Sequence, residues 1–375
     1  MSMTADVLVV GAGIVGAACA YELTKERIKV AVVEATGIGT GATAAGMGHI
    51  VAMDDSEAQF ALTRYSQKLW ADLQRQGPAM MEYQETGTIW VAADEDEMAA
   101  VQRKHVFYAA REVTSEVLDA QGLREAEPNL CKSLLGGLHV PGDAVLYPPC
   151  AAAFLMQEAV KRGARVHTGH RVTSIGGGTA LMADGTSFSA KVIVNAAGQH
   201  ASRLTPGIHM EPRKGHLVIT ERYAGMIRHQ LVELGYLKSA HSTRSDTVAF
   251  NVQPRKTGQL LIGSSRQYAR TDGKVDGGIV ERMLRRAFEY VPELSALSAI
   301  RVWTGFRAAT PDNLPLIGPW NADPTIFLAA GHEGLGITTS LATGRLITDH
   351  FWGRASEIPS EPYLPSRQQG APRHV

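Results

Sequence analysis

The chain opens with a pattern that leaves little choice of local fold. Asp6-Val7-Leu8-Val9-Val10 is a short apolar run rich in β-branched residues, and it leads straight into Gly11-Ala12-Gly13-Ile14-Val15-Gly16. Such a run is the pattern of a strand buried on both faces of a parallel sheet. The spacing predicts a helix from about Ile14 to Arg27 and a second strand from Lys29 to Glu34, which together make a β-α-β unit. Gly11 permits the tight turn, Gly13 lets a pyrophosphate approach the backbone, and Gly16 lets the helix pack closely on the sheet. The first helical turn, at Ile14 and Val15, offers free N–H groups and the positive end of the helix dipole to phosphates. Glu34, with Ala35 after it, falls where a ribose diol is bound; a carboxylate there repels a 2′-phosphate, which disfavours NADP. The motif marks a dinucleotide site without deciding between FAD and NAD.

Size and charge narrow the rest. A chain of 375 residues exceeds what one core supports, since single cores stop growing near roughly 250–300 residues, so two associated domains are expected. Lys+Arg and Asp+Glu are both 37. This balance, with no basic run, argues against a nucleic-acid partner. Cys19, Cys131 and Cys150 are far apart and form no C-x-x-C pair, so neither a disulfide framework nor a metal site is expected. They read as small core residues in a reducing compartment. The apolar stretch at the N-terminus is too short for a signal peptide or a spanning helix. A cytoplasmic protein is expected, with peripheral membrane association left open.

The segment Gly37 to His49 is almost entirely glycine, alanine and threonine, and includes Gly41, Ala42, Thr43, Ala45, Gly46 and Met47. Backbone without bulky side chains suits contact with a flat ligand. Further on, Val192-Ile193-Val194-Asn195-Ala196-Ala197-Gly198 is a strand closing on small residues. Trp303 to Gly318 contains Gly305, Arg307 and the run Thr310-Pro311-Asp312. Phe327 to Ser340 reads as strand, glycine-rich turn and helix, the helix starting near Gly336 and continuing through Leu346. The opening glycine turn with Glu34, the segment Thr43 to Gly48, the strand Val192 to Gly198 and the C-terminal block Trp303 to Thr338 together resemble, in their order, the D-amino-acid oxidase family of FAD-dependent oxidoreductases. The similarity is to its glycine oxidase, sarcosine oxidase and amine dehydrogenase branch, and leans toward subunits acting on D-proline or hydroxyproline.

That resemblance implies non-covalently bound FAD. None of the cysteines lies in the C-terminal block where relatives of the sarcosine type carry theirs, and no His-His pair stands near the start. It implies that Val172 contacts the adenine side and that Ala197 and Gly198 lie beneath the nucleotide half. It places Gly334, Leu335, Gly336, Ile337 and Thr338 at the flavin's pyrimidine edge, where helix N–H groups stabilise negative charge. Arg307 becomes the residue that pairs with a substrate carboxylate, a task suited to a planar guanidinium. Ala308 stands where the family has a proline, which loosens the loop behind Arg307. His49 either shapes the site or is an ordinary loop histidine, His216 reads as structural, His332 positions its turn, and Tyr268 is a candidate for the pocket.

The expected fold is α/β, a Rossmann-like doubly wound FAD-binding domain with an α+β substrate domain built on an antiparallel sheet. The first takes residues 1–80, 142–205 and 300–375; the second takes 81–141 and 206–299. Pro359 to Val375 reads as a frayed tail. The expected reaction removes a hydride beside the nitrogen of a small amino acid or amine. Electrons then pass to oxygen, a quinone or a partner subunit of a hetero-oligomer. An electron-relay subunit without catalysis, and an NAD-dependent dehydrogenase, are the alternatives.

Overall fold

The computed structural model describes residues 3–235 and 245–368. Its first sheet runs Leu316–Trp320, Asp323–Ala330, Ser187–Asn195, Met3–Val10, Val30–Glu34 and Arg165–Thr168 from edge to edge. All these pairs are parallel except the first, a hairpin. Val172–Gly176 and Thr179–Met182 form an antiparallel extension against Ser187–Asn195. The opening apolar run is thus a central strand flanked on both sides, which is why it carries no alternation.

Helix Ile14–Lys25 packs between helices Gly336–Trp352 and Pro148–Lys161. Val7, Val9, Ala17, Val32, Val194, Leu341 and Leu346 lie in one core with no exposure above 1%, each large aliphatic contributing about 1.5–3 kcal/mol of burial. The two glycine-bearing helices approach closely. A Cβ on Gly344 would stand 2.6 Å from the Ala18 carbonyl oxygen.

The second sheet runs Ala299–Ala309, Glu211–Arg222, Gln259–Arg266, Thr247–Pro254, Gln230–Glu233, Thr88–Ala92, Gly136–Val140 and Glu116–Asp119. It is antiparallel except between Gln230–Glu233 and Thr88–Ala92, which are parallel. Strand alternation sorts its faces. Val218, Leu231, Phe250, Val252 and Ile262 pack against helix Gly277–Tyr290, where Phe250 stacks on Tyr290 with centroids 4.4 Å apart. Leu217, Val232, Asn251 and Trp90 turn the other way, toward a cavity between the sheets.

Three expectations change. By its pairing with Glu211–Arg222, strand Ala299–Ala309 belongs to the second sheet. We therefore propose the discontinuous two-domain division with that strand assigned to the substrate side. The tail is packed as far as it is described: Tyr363 is buried and its hydroxyl donates to the Ala58 carbonyl at 2.7 Å, while Arg367 pairs with Asp312. Residues 369–375 lie outside the described residues. Of the cysteines, only Cys19 is fully buried; Cys131 and Cys150 are half-buried, and all three are free thiols. Among the described residues no helix is long and apolar enough to cross a membrane, and no cluster could hold a metal.

Candidate active site

A cavity of about 1000 Å³ separates the two sheets, at the upper end of the roughly 300–1,000 Å³ usual for ligand sites. Its nucleotide-like end begins at Gly11, whose φ is +104°; a Cβ there would stand 2.5 Å from the Ala196 carbonyl oxygen. Only glycine satisfies both conditions. Gly13, Ile14 and Val15 line the cavity. Gly16 does not, because it packs inward, its Cα so near the Gly11 carbonyl that a Cβ would lie 2.0 Å from that oxygen. Glu34 and Ala35 also line the wall. The Glu34 carboxylate accepts from the Ala12 N–H at 2.8 Å and the Thr36 N–H at 2.7 Å, so the acid clamps the turn as well as facing the ligand space. Thr43 Oγ1 accepts from the Ile14 N–H at 2.9 Å.

The alanine-glycine segment folds into one helical turn, Ala42–Ala45, followed by the short strand His49–Ile50. Gly41, Ala42, Thr43, Ala45, Gly46, Met47 and His49 all face the cavity. Their small size lets three distant segments meet. A Cβ on Gly305 would lie 2.4 Å from the Ala45 methyl, and one on Gly46 would lie 2.7 Å from Ile337 Cδ1. Val172, Ala197 and Gly198 line the same end, and Gly305, Gly334, Leu335, Gly336 and Ile337 line the other. Thr338 stands behind the wall, where its hydroxyl donates to the His49 carbonyl at 2.7 Å and fixes that loop. Two helix N-termini therefore open on the cavity, at Gly13 and Leu335, neither capped by its own side chain. First-turn N–H groups have no intrahelical acceptor, so both ends suit electron-rich groups of a bound dinucleotide.

Arg307 lines the opposite side. Its guanidinium lies over Gly215, where a Cβ would stand 2.6 Å from Nη1, and Nη1 donates to the Ser265 carbonyl at 2.9 Å. Ala308 lies inside the continuous strand that holds Arg307, and its carbonyl accepts from the Glu333 N–H at 2.9 Å, a bond that a proline carbonyl could equally accept.

The sequence reading missed Glu333. It adopts a left-handed φ of 51°, lines the cavity, and pairs with Arg266 at 3.1 Å and Arg213 at 3.7 Å. Burial alone would raise its pKa, but the Arg266 and Arg307 charges overcome this and hold it at about 2. Arg171, His200 and Arg203, at the nucleotide-like end, were also missed. No motif marks any of them.

His49 is half-buried, and desolvation followed by the Arg307 charge lowers its pKa to about 4. His332 falls to about 3 through burial and meets Thr343 Oγ1 at 3.0 Å. His216, read as structural, is fully buried and also lines the cavity. The Asp276 N–H donates to its Nε2 at 3.1 Å, so Nδ1 carries the proton toward Ser265 Oγ at 3.0 Å. Tyr268 is not in the pocket. The strand Gln259–Arg266 ends before it, and its ring sits against Arg213, 5.7 Å from the guanidinium carbon.

The model of the FAD dependent oxidoreductase family, DAO, matches residues 6–350. Glycine oxidase of Geobacillus kaustophilus is 27% identical over 97% of both chains. Hydrogen cyanide synthase subunit HcnC of Pseudomonas protegens is 26% identical over 98% of this chain and 97% of its own. The crystal structure of the Geobacillus kaustophilus glycine oxidase superposes with a TM-score of 0.87 at 28% identity, covering 98% and 99% of the two chains. That of L-proline dehydrogenase from P. horikoshii shares the fold, with a TM-score of 0.88 at 23% identity over 98% and 99%. Since the family model spans all but the two ends of the chain, this chain belongs to the FAD dependent oxidoreductase (DAO) family.

Proposed function

We propose that the chain removes a hydride from the carbon bearing the nitrogen of a small amino acid, or of a cyclic or secondary amine, leaving an imine. D-proline, hydroxyproline, glycine and sarcosine are candidates. One observation carries the reading: the Arg307 guanidinium lies over Gly215 in a cavity whose other wall is made of nucleotide-binding turns. Relatives named glycine oxidase, and an opine oxidase component of Rhizobium meliloti, support it. FAD, when bound, supplies the hydride acceptor. The turn at Gly11–Gly13 and Glu34 would hold its nucleotide half, and the Gly336 helix N-terminus its ring.

Arg307 would orient the substrate through its carboxylate, so catalysis is chiefly positioning and exclusion of water. Glu333 ion-pairs with Arg266 and Arg213 and acts on Arg307 through its charge, so of the three Arg307 is the one we assign to the incoming anion. His49 and His332 are poor proton acceptors, since an imidazole that protonates only near pH 4 or 3 is too weak a base at neutral pH, and the His216 Nε2 already accepts from the Asp276 N–H. The amine therefore reacts after losing its proton to solvent.

A second reading rests on the relatives that are named as subunits of larger enzymes: the chain passes its electrons to a partner protein rather than to oxygen. A panel of D-, L- and N-methyl amino acids, mixed anaerobically with the FAD-loaded protein, tests the first reading through loss of flavin absorbance. Hydrogen peroxide release in air separates oxygen from other acceptors. Arg307→Lys should raise KM for carboxylate substrates at least tenfold. An unchanged KM removes Arg307 from this role.

A further inference from the structure

The face of the second sheet that roofs the cavity carries polar atoms with no partner in the protein. Trp90, Val232 and Asn251 are register partners on three adjacent strands, and Gln230 is one step along from Val232 on the same face. Trp90, Gln230 and Asn251 are 3%, 2% and 6% exposed, and all line the cavity. Trp90 Nε1, Gln230 Oε1 and Asn251 Oδ1 are each buried without a hydrogen-bonding partner. Leaving such groups unmatched is destabilising, and an apolar substrate surface would leave them so.

Their chemistry is specific. The indole N–H only donates, and the amide oxygens only accept. A hydroxyl satisfies both kinds, since it accepts from Trp90 and donates to Asn251 or Gln230. An ammonium could not accept, a carboxylate could not donate, and the neutral amine must keep its lone pair for the new C=N bond. The position also fits a small molecule. Arg307 Nη1 bonds Ser265, two residues from Gly263, which is the register partner of Asn251. One strand spacing and two residues separate the anion site from the roof by roughly 8 Å.

We infer that Trp90, Gln230 and Asn251 form a recognition site for a hydroxyl group on the substrate. This rests on the amine-oxidising reading above and narrows it to hydroxylated amino acids whose hydroxyl and carboxylate lie on opposite sides of the reacting carbon.

Cyclopentanecarboxylate and 3-hydroxycyclopentanecarboxylate have no amine and cannot be oxidised, so they test recognition apart from turnover. Calorimetric titration of the FAD-loaded protein should show the hydroxylated acid binding at least tenfold more tightly. Asn251→Leu and, independently, Trp90→Phe should bring the pair within twofold. Gln230→Met serves if either variant does not fold. Kinetically, 4-hydroxyproline should exceed proline of the same configuration at least tenfold in kcat/KM, and the variants should erase that ratio. Equal binding of the two acids, as expected if water satisfies the roof, overturns the proposal. So does a preference that survives all the variants. Tight, hydroxyl-selective binding with no flavin reduction by any amine would instead refute the oxidation reading.

Discussion

Gly215→Ala is the most informative single change, because it adds one methyl group beneath the guanidinium and removes nothing. The new Cβ would lie 2.6 Å from Arg307 Nη1 and 3.1 Å from both Arg307 Cζ and the Ser265 carbonyl oxygen. Ordinary contact begins at 3.4 Å, so Nη1 must retreat by 3.4 − 2.6, or 0.8 Å. The bond from Nη1 to the Ser265 carbonyl is then stretched or lost. A bond to a charged group contributes about 1.5–3 kcal/mol, and a misplacement of about 1 Å costs on the order of 100-fold in rate. The expected fall in kcat/KM for a carboxylate substrate is therefore about 10- to 100-fold. FAD affinity should not move, since Gly215 belongs to the substrate-side sheet. The strand itself should hold, because alanine is more favourable than glycine in an extended interior by roughly 0.5–1 kcal/mol. Stopped-flow flavin reduction under nitrogen, comparing proline with pyrrolidine, isolates the effect. Only the carboxylate-bearing member should suffer. Equal losses for both, or no loss for either, would refute the placement of Arg307 as carboxylate clamp.

Two further outcomes follow from the same geometry. Glu333→Gln leaves Arg213, Arg266 and Arg307 without their shared counter-charge, and should destabilise the fold by about 3–5 kcal/mol, read as a lowered Tm. Because the folded-state pKa of Glu333 lies below its ordinary 4.5, its contribution is full above pH 4.5 and fades as pH falls toward about 2. The Tm gap between parent and variant should narrow over that window; a gap independent of pH would count against the ion cluster. No cysteine lines the cavity among the described residues, so acid precipitation should leave the yellow colour in the supernatant. A coloured pellet would show a covalent flavin.

The backbone-dictated parts of the site could be read directly from the chain. The glycine turn, the strand that feeds it and the second turn before Gly336 are local requirements, set by φ, strand period and helix N-termini within a few residues. Glu34 was legible too, since it ends the strand beside that turn. Small residues at 41–43, 45, 46, 305, 334 and 336 could be marked as candidates for the cavity wall without knowing which distant segments they would meet.

Other features came into being only on folding. Gly215 matters because Arg307, on the neighbouring strand of the sheet but far along the chain, lies across it. Glu333 matters because three arginines from separate strands converge on it, and the roof matters because strand pairing sets Trp90, Val232 and Asn251 in one row. Tyr268 went astray for the same reason, since its sequence neighbours reach the cavity while its own ring turns to Arg213. The sequence by itself determined where the backbone could cradle a dinucleotide, because those constraints act over a turn or two. Which side chains face the substrate was decided by the tertiary structure alone, through register and packing between segments that have no local sign of meeting.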